Sequence, residues 1–322
     1  MKIVFEHSGV LPVIRYGGTE RIIFWLMKEL VHLGHSVTLI GHPKSDVENL
    51  GIKLIPKNDN SDWRKLIPKD TDLIHLFYTP PFKFDFPTIV TIEGNGNPGE
   101  KFHVNTVFVS LKHAENHGSD KFVYNGIDLD EYPFVKRSNR KWNNFLFLAK
   151  ASWKVKNLDH CIDATKKNRK ILHLAGGRKW SLSRYVKSYG MVDQMKKREL
   201  LSSVDAFLWP VRWHEPFGIG IIEAYSAGLP VIGSTYGSLK ELINERVGVL
   251  CNDYQEFEKA LSGDKFNFNS DEIRSFVETN FSKEVMTRNY IYFYSKVIAG
   301  EILNCTEPLY QGLKGPEELL DF

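Results

Sequence analysis

Residues 215–241 read EPFGIGIIEAYSAGLPVIGSTYGSLKE, and this stretch decides the prediction of the fold. Proline tolerates the first position of a helix, where a missing N–H costs nothing, so Pro216 predicts a helix over 217–227. The short apolar run Pro230–Gly233 follows almost at once and predicts a buried strand. A helix that leads directly into a buried strand is the repeating step of an α/β fold with a parallel sheet.

Two acids flank the glycine-rich start of this helix. Glu215 lies in the preceding loop, and Glu223 lies about 6 residues into the helix, or ~9 Å along its axis at 1.5 Å per residue. Gly218 and Gly220 would let a ligand approach backbone N–H groups at a helix end that favours anions. Two carboxylates at that distance could hold different parts of one extended ligand, such as hydroxyls on either side of a diphosphate. The same spacing also fits a buried helix with one incidental acid.

The rest of the chain shows the same alternation of elements. Lys2–Phe5 predicts a strand, Thr19 and Gly34 predict the caps of an amphipathic helix, and Val37–Ile40 predicts the next parallel strand. Further strands are predicted at Leu73–Phe77, Thr88–Ile92, Val107–Ser110, Lys121–Tyr124, Phe145–Leu148, Ile171–Ala175 and Ala206–Trp209, and further helices at 157–168, 193–203 and 283–300. The predicted class is α/β, with doubly wound sheets that bind ligands at the carboxyl ends of their strands.

Length predicts more than one domain. The chain has 322 residues, and single hydrophobic cores stop growing near about 250–300 residues. The polar stretch FVKRSNRKWNN at 134–144 predicts a linker. We therefore expect one domain over 1–135, a second over 136–282, and a crossover helix (283–300) with a tail over 283–322.

Composition favours a soluble cytoplasmic protein. No stretch approaches the ~20 apolar residues of a membrane span, and the polar start is unlike a signal peptide. Three widely separated cysteines suit a reducing compartment. Residues 136–198 hold 18 Lys and Arg against 3 Asp and Glu, which indicates either an anionic partner, such as an anionic membrane, or a solvated basic surface. No nucleic-acid recognition motif accompanies this block, so no nucleic-acid partner is expected.

The quoted stretch resembles the signature of the family 4 retaining glycosyltransferases. The matching residues are Glu215-Pro216-Phe217-Gly218, then Glu223-Ala224, then SAGLPVI at 226–232. The resemblance implies the GT-B fold, in which two Rossmann-like domains face each other across a cleft. It also implies transfer of a sugar from a UDP- or GDP-linked donor to a hydroxyl of a glycan or lipid-linked acceptor, as in lipopolysaccharide, O-antigen or other polysaccharide assembly.

The resemblance also assigns the donor site around the quoted stretch. Glu215 would face the donor sugar, and Glu223 would hold the nucleotide ribose. The backbone amides of Phe217, Gly218 and Ile219 would contact sugar and phosphate.

Three further segments resemble parts of the same donor site. In FLFLAKASWKVKN (145–157), Lys150 stands where the family usually has Arg, and Lys156 matches the family Lys. Both would neutralise the diphosphate, although Lys150 lacks the bidentate fork of an arginine and Lys154 could take its place. Gly176 lies in the turn after the next strand, and Met191 lies in a segment whose backbone often reads the base.

The first domain carries the remaining resemblance. Gly17 and Gly18 look like the glycine loop that meets the donor diphosphate. Many members have a His beside the reacting sugar where this chain has Glu93, followed by Gly94 and Asn95. A carboxylate there could bind a sugar hydroxyl or orient an acceptor, and it also leaves open an altered donor or a loss of activity.

The resemblance implies front-face displacement with Lys156, Glu215 and Lys150 as the catalytic residues. Two Asp-x-Asp triplets, at 70–72 and 128–130, are the pattern that another glycosyltransferase class uses for a divalent metal. About one such triplet is expected by chance, so we expect chemistry without metal or cofactor. The alternatives are a non-catalytic relative that acts as a binding or regulatory subunit, and a nucleotide-sugar epimerase or hydrolase of the same fold. A dehydrogenase is disfavoured because no G-x-G-x-x-G follows the first strand.

Overall fold

The computed structural model describes residues 1–13, 17–58, 62–137, 141–179, 183–263, 267–312, 315 and 317–322. The chain forms two compact units. Unit 1 consists of Met1–Ile127 and Ser282–Leu313, and unit 2 consists of Asp128–Phe281 and Lys314–Phe322. The predicted domain boundaries were 135 and 282, and part of the predicted linker, residues 138–140, lies outside the described residues.

Strands and helices alternate along both units. Over the described residues, the strands are β1 Lys2–His7, β2 Ser36–Gly41, β3 Lys53–Pro56, β4 Leu73–Leu76, β5 Thr88–Ile92, β6 Thr106–Phe108, β7 Asn144–Leu148, β8 Ile171–Ala175, β9 Val186–Gly190, β10 Ala206–Trp209, β11 Val231–Ser234 and β12 Gly248–Cys251. The α-helices are α1 Gly18–His32, α2 Leu111–Glu115, α3 Leu158–Lys167, α4 Gln194–Ser203, α5 Ile219–Ser226, α6 Leu239–Leu242, α7 Tyr254–Ala260, α8 Ser270–Asn280 and α9 Lys283–Ile298.

Unit 1 is built on a parallel sheet with the strand order β3-β2-β1-β4-β5-β6. Ile3 pairs with Val37 on one side of β1 and with Leu73 on the other. The central strands are buried along nearly their whole length, which is typical of parallel sheets covered by helices on both faces. Val4, Ile40 and Ile74 belong to one cluster of buried side chains in this core.

Helix α9 completes unit 1 although it comes late in the chain. It packs on α1 and β5. Buried polar groups join it to the sheet: His75 bonds to the hydroxyl groups of Tyr294 (2.7 Å) and Thr91 (2.8 Å), and Thr91 bonds to that of Tyr290 (3.0 Å). Burial lowers the pKa of His75 to about 3, so the imidazole is neutral at physiological pH.

Unit 2 repeats the plan with the strand order β12-β11-β10-β7-β8-β9. Counted from β7, this is the order of unit 1 read in the opposite direction. The first strand of the unit, β7, pairs with β8 on one side and β10 on the other. The connections after β7 and β10 therefore leave the sheet in opposite directions, and the crevice between them is where such sheets bind ligands.

The predicted class, two doubly wound α/β units, is confirmed. Several local predictions were wrong. Lys121–Tyr124 is not a strand, because Phe122 makes only an isolated bridge to Phe108. Helix α1 begins at Gly18, so Thr19 lies in its first turn and does not cap it. Three strands were missed, and all of them, β3, β9 and β12, lie at sheet edges.

Candidate functional site

The predicted residues Lys156 and Glu215 meet at the crevice of unit 2. Lys156 ends a short 3-10 helix after β7, and Glu215 lies in the loop after β10. The Lys156 ammonium donates to Glu215 Oε2 at 2.7 Å, and both residues are buried, at 7% and 5% exposure. The topology therefore brings together two groups that are 59 positions apart.

Three tryptophans enclose this ion pair. The Lys156 Nζ lies 4.5, 4.7 and 5.2 Å from the ring centroids of Trp213, Trp209 and Trp153. The indole N–H groups of Trp209 and Trp213 also donate to Glu215 Oε2, at 3.2 and 2.9 Å. Aromatic faces stabilise a nearby cation, and three donors stabilise the carboxylate. Burial lowers the pKa of Lys156, and the adjacent Glu215 carboxylate opposes this effect.

Residues 210–218, here called the Glu215 loop, are fixed by hydrogen bonds along their length. These bonds come from the turn after β7 and from the segment after β11. Written from donor to acceptor, the four hydrogen bonds are Asn157 Nδ2 to Pro210 O (2.8 Å), Ser234 Oγ to Val211 O (2.7 Å), Ser238 N to Glu215 O (3.0 Å) and Ser238 Oγ to Phe217 O (2.6 Å).

The turn at Gly237 and Ser238 packs against the backbone of Glu215. A Cβ at Gly237 would lie 2.3 Å from both the N and the O of Glu215, and its φ is +62°. Glycine is required here for the close approach as well as for the left-handed conformation. Ser238, next to this glycine, supplies the hydroxyl that donates to Phe217 O.

Helix α5 starts three residues later than Pro216, which corrects the predicted helix start. Gly218 is the N-cap in the left-handed region (φ 101°), and Ile219 is the first helical residue. Phe217 is buried, with its ring centroid 5.9 Å from that of Phe281. The first N–H groups of a helix lack intrahelical acceptors, so this end of α5 could bind an anion beside Glu215.

Glu223 is part of a second buried ion pair. Its Oε1 accepts hydrogen bonds from Lys197 Nζ at 2.5 Å and from the Tyr132 hydroxyl at 2.6 Å. Sequence reasoning missed Lys197, Tyr132 and the three tryptophans around Lys156. Lys197 did leave a signal, because it lies on the face of α4 that buries Leu200 and Leu201.

Gly176 and Met191 follow β8 and β9, next to the loop that carries Lys150. A Cβ at Gly176 would lie 2.1 Å from Ala149 O, so only glycine fits. The N–H of Gly176 donates to Gly190 O at 2.8 Å, which ties these connections together. Lys150 is exposed, and Met191 is 56% exposed.

In unit 1, Gly17 and Gly18 form the start of α1, and Glu93 follows β5. Gly17 is the N-cap at φ 153°. Glu93 Oε2 accepts from Asn125 Nδ2 at 2.7 Å, while its buried Oε1 has no partner within the described part of the chain. Burial, and secondarily the charge of Glu20, raise the pKa of Glu93 to about 7.

Two histidines hold the loop that contains Gly94 and Asn95. His113 Nε2 bonds to Gly94 O at 3.0 Å, and Gly96 N donates to His117 Nε2 at 3.2 Å. Burial lowers the pKa of both imidazoles, that of His117 to about 4. His113 and His117 therefore fix the loop after Glu93.

The described residues contain no group of three or more His, Cys, Asp and Glu side chains that could hold a metal ion. Of the two Asp-x-Asp triplets, Asp70 pairs with Lys2 and Asp128 caps a 3-10 turn. None of the described helices is both long and apolar enough to cross a membrane.

Comparison with known proteins gives a family for part of unit 2. Residues 143–263 match the family described as glycosyl transferases group 1. A 41.2 kDa uncharacterised protein of the cps region of Klebsiella pneumoniae is 26% identical over 196 residues, which cover 54% of each chain. A glycogen synthase of Mycobacterium tuberculosis is 30% identical over 147 residues, which cover 40% of this chain and 35% of the synthase. The chain thus spans about half or less of these curated relatives.

A solved structure extends the likeness of the fold to both units. A glycosyltransferase involved in avilamycin A biosynthesis superposes with a TM-score of 0.77 at 22% identity, covering 93% of this chain and 98% of that one. The fold of the chain is therefore the GT-B fold.

Proposed function

We propose that this chain, whose residues 143–263 match the group 1 glycosyl transferases, belongs to that family and moves a sugar from a nucleotide-diphosphate sugar to a hydroxyl group. The observation that carries the proposal is the buried Lys156–Glu215 pair at the crevice of unit 2. A structural ion pair needs no glycine-capped helix start beside it, and such a helix start suits an anionic ligand.

We assign the donor to the groups around that pair. The diphosphate would lie near Lys156, Lys150 and the start of α5. In unit 1, Gly17 and Gly18 stay predicted donor-binding residues. Glu215 would face the sugar, and Phe217, Gly218 and Ile219 would present their amides. On this assignment, Glu223 binds the ribose, and Gly176 and Met191 border the nucleotide.

The proposed chemistry is retaining transfer without a metal. The bond between the anomeric carbon and the diphosphate oxygen breaks, and the acceptor oxygen forms its bond on the same face. The acceptor proton passes to the departing phosphate oxygen. Lys156 would stabilise the charge that develops on the diphosphate, an effect that is large in a dry site.

We further propose a glycan or lipid-linked acceptor, with Glu93, Gly94 and Asn95 on the acceptor or sugar side. The Klebsiella relative is encoded in a cps region, which supports a role in polysaccharide assembly. The basic block at 136–198 suits contact with an anionic membrane from the cytoplasmic side. Binding to anionic vesicles that falls steeply with added salt would support this part of the proposal.

A nucleotide panel tests the donor assignment directly. UDP, GDP, ADP and their sugars are added to the protein at about 100 times Kd, and the response is the shift in its thermal stability. Binding at that concentration should raise the free energy of unfolding by about 2.7 kcal/mol. Lys156→Met should abolish the response, and Lys259→Met, at an exposed position on α7, should keep it. No response to any nucleotide would contradict the proposal and favour a non-catalytic relative.

Turnover assays then separate the enzymatic alternatives. A transferase releases nucleoside diphosphate in proportion to the glycosylated acceptor. An epimerase would form its product without acceptor, and a non-catalytic relative would bind nucleotide weakly or not at all and release nothing.

A further inference from the structure

Arg212 lies in the Glu215 loop between two partners from distant parts of unit 2. Its backbone N–H donates to Val155 O at 2.7 Å, and its backbone carbonyl accepts from Leu320 N at 2.8 Å. Its side chain closes the second contact, because Nε donates to Leu320 O at 2.6 Å. Arg212 is thus held from two directions by backbone groups.

Arg212 and its partner Val155 each lie next in sequence to a residue of the buried cluster around the ion pair. Val155 directly precedes Lys156, and Arg212 directly precedes Trp213, whose indole donates to Glu215 Oε2 at 2.9 Å. A displacement of Arg212 would therefore shift Trp213 and, through the Val155 bond, the turn that carries Lys156. None of these three hydrogen bonds of Arg212 involves the ammonium or carboxylate group itself.

The segment 317–322, here called the terminal strap, is anchored beyond Leu320 as well. The Tyr236 hydroxyl donates to Asp321 O, and the Phe322 ring centroid lies 5.9 Å from that of Phe257. Leu319 nevertheless remains 42% exposed. None of the residues 317–322 is fully buried, so the terminal strap contributes less to stability than the core does.

We propose that Arg212 is a positioning residue for the Lys156–Glu215 pair and that the terminal strap holds Arg212 in place. The effect on turnover rests on the proposed function, whereas the effect on the geometry of the pair does not. An intramolecular hydrogen bond changes an equilibrium by only about 2- to 12-fold. Misplacing a catalytic group by about 1 Å can reduce turnover by about 100-fold. Loss of the strap contact should therefore affect catalysis more than folding.

Two substitutions at one position isolate the backbone contact. Leu320→Pro removes the N–H that donates to Arg212, and Leu320→Ala keeps it. Arg212→Met removes the side-chain contact to Leu320 O. The indole ¹⁵N–¹H resonance of Trp213, assigned with Trp213→Phe, reports the geometry of the ion pair without any substrate.

We expect Leu320→Pro and Arg212→Met to shift the Trp213 resonance and to reduce kcat about 10- to 100-fold. Nucleotide Kd should change by less than about 3-fold, within the effect of one hydrogen bond. Leu320→Ala should match the wild type in both measurements. If the contact were merely structural, Leu320→Pro and Arg212→Met would lower the melting temperature and leave the Trp213 resonance and kcat of the folded protein unchanged.

An unmoved Trp213 resonance in both Leu320→Pro and Arg212→Met would overturn the inference, whatever the activity. A shifted resonance with unchanged kcat would overturn the catalytic part. Absence of turnover in the wild type with every donor would count against the proposed function alone, because the resonance needs no substrate.

Discussion

Replacing Glu93 by glutamine should remove a pH-dependent loss of stability from unit 1. The pKa of Glu93 is raised to about 7 because its carboxyl group is buried at the end of β5 and Glu20 lies nearby. An acid whose pKa is higher in the folded state stabilises the fold while it is protonated. That contribution is complete below pH 4.5, the ordinary value, and is lost as the pH rises through about 7.

The size of the effect follows from the two pKa values of Glu93. The difference between about 7 and 4.5 corresponds to about 3 kcal/mol of unfolding free energy lost between pH 4.5 and pH 8. For a unit of this size, 1 kcal/mol corresponds to about 2–4 °C in Tm, so the expected range is about 6–12 °C. The hydrogen bond from Asn125 to Glu93 opposes the rise in pKa, and the value of about 7 already includes its effect.

Calorimetry from pH 5 to 8.5 measures the effect. Glutamine has the shape of a protonated glutamate, so Glu93→Gln should resemble the wild type at pH 5 and become the more stable protein as the pH rises. Glu115→Gln, at an exposed position on α2, controls for the loss of one negative charge. Parallel Tm curves for Glu93→Gln and the wild type would refute a buried, ionisable Glu93.

Two further predictions concern unit 2. Gly237→Ala should lower Tm clearly more than Gly34→Ala does. Both positions have positive φ, but only at Gly237 would a Cβ lie against backbone atoms, at 2.3 Å from those of Glu215. Equal losses of Tm would show that conformational strain alone matters. Lys156→Met should destabilise by about 3–5 kcal/mol by leaving a buried carboxylate unpaired. Combining it with Glu215→Gln should recover much of that loss in a double-mutant cycle, and additive losses would rule out direct coupling.

The central strands could be predicted from sequence, but three of the four edge strands, β3, β9 and β12, could not. Ile171–Ala175 and Ala206–Trp209 have the predicted bounds, because strands buried on both faces read as continuous apolar runs. The edge strand Val186–Gly190 contains exposed Lys187 and Ser188 and has no such run. The true start of α5 was hidden because a left-handed glycine, rather than Pro216, begins the helix.

The candidate site was predictable only where a local pattern marks it. Glu215, Glu223 and Lys156 were identified by spacing and resemblance, yet the pairing of Lys156 with Glu215 spans 59 positions. Such a contact depends on the strand order, which no local pattern reports. The same reason explains why Lys197 was missed as the partner of Glu223.

The position of α9 late in the sequence has a consequence for the synthesis of the chain. His75 shares a hydrogen bond with Tyr294, which lies 219 positions further on. At about 5–20 residues per second, the ribosome adds that stretch in roughly 10–40 s. Throughout this time the face of β5 and α1 that α9 will cover is open, and His75 lacks that partner. The sheet of unit 1 is synthesised first, but α9 covers it only after all described strands of the second sheet have been made. Proteolysis of nascent chains should therefore cleave unit 1 more readily than unit 2.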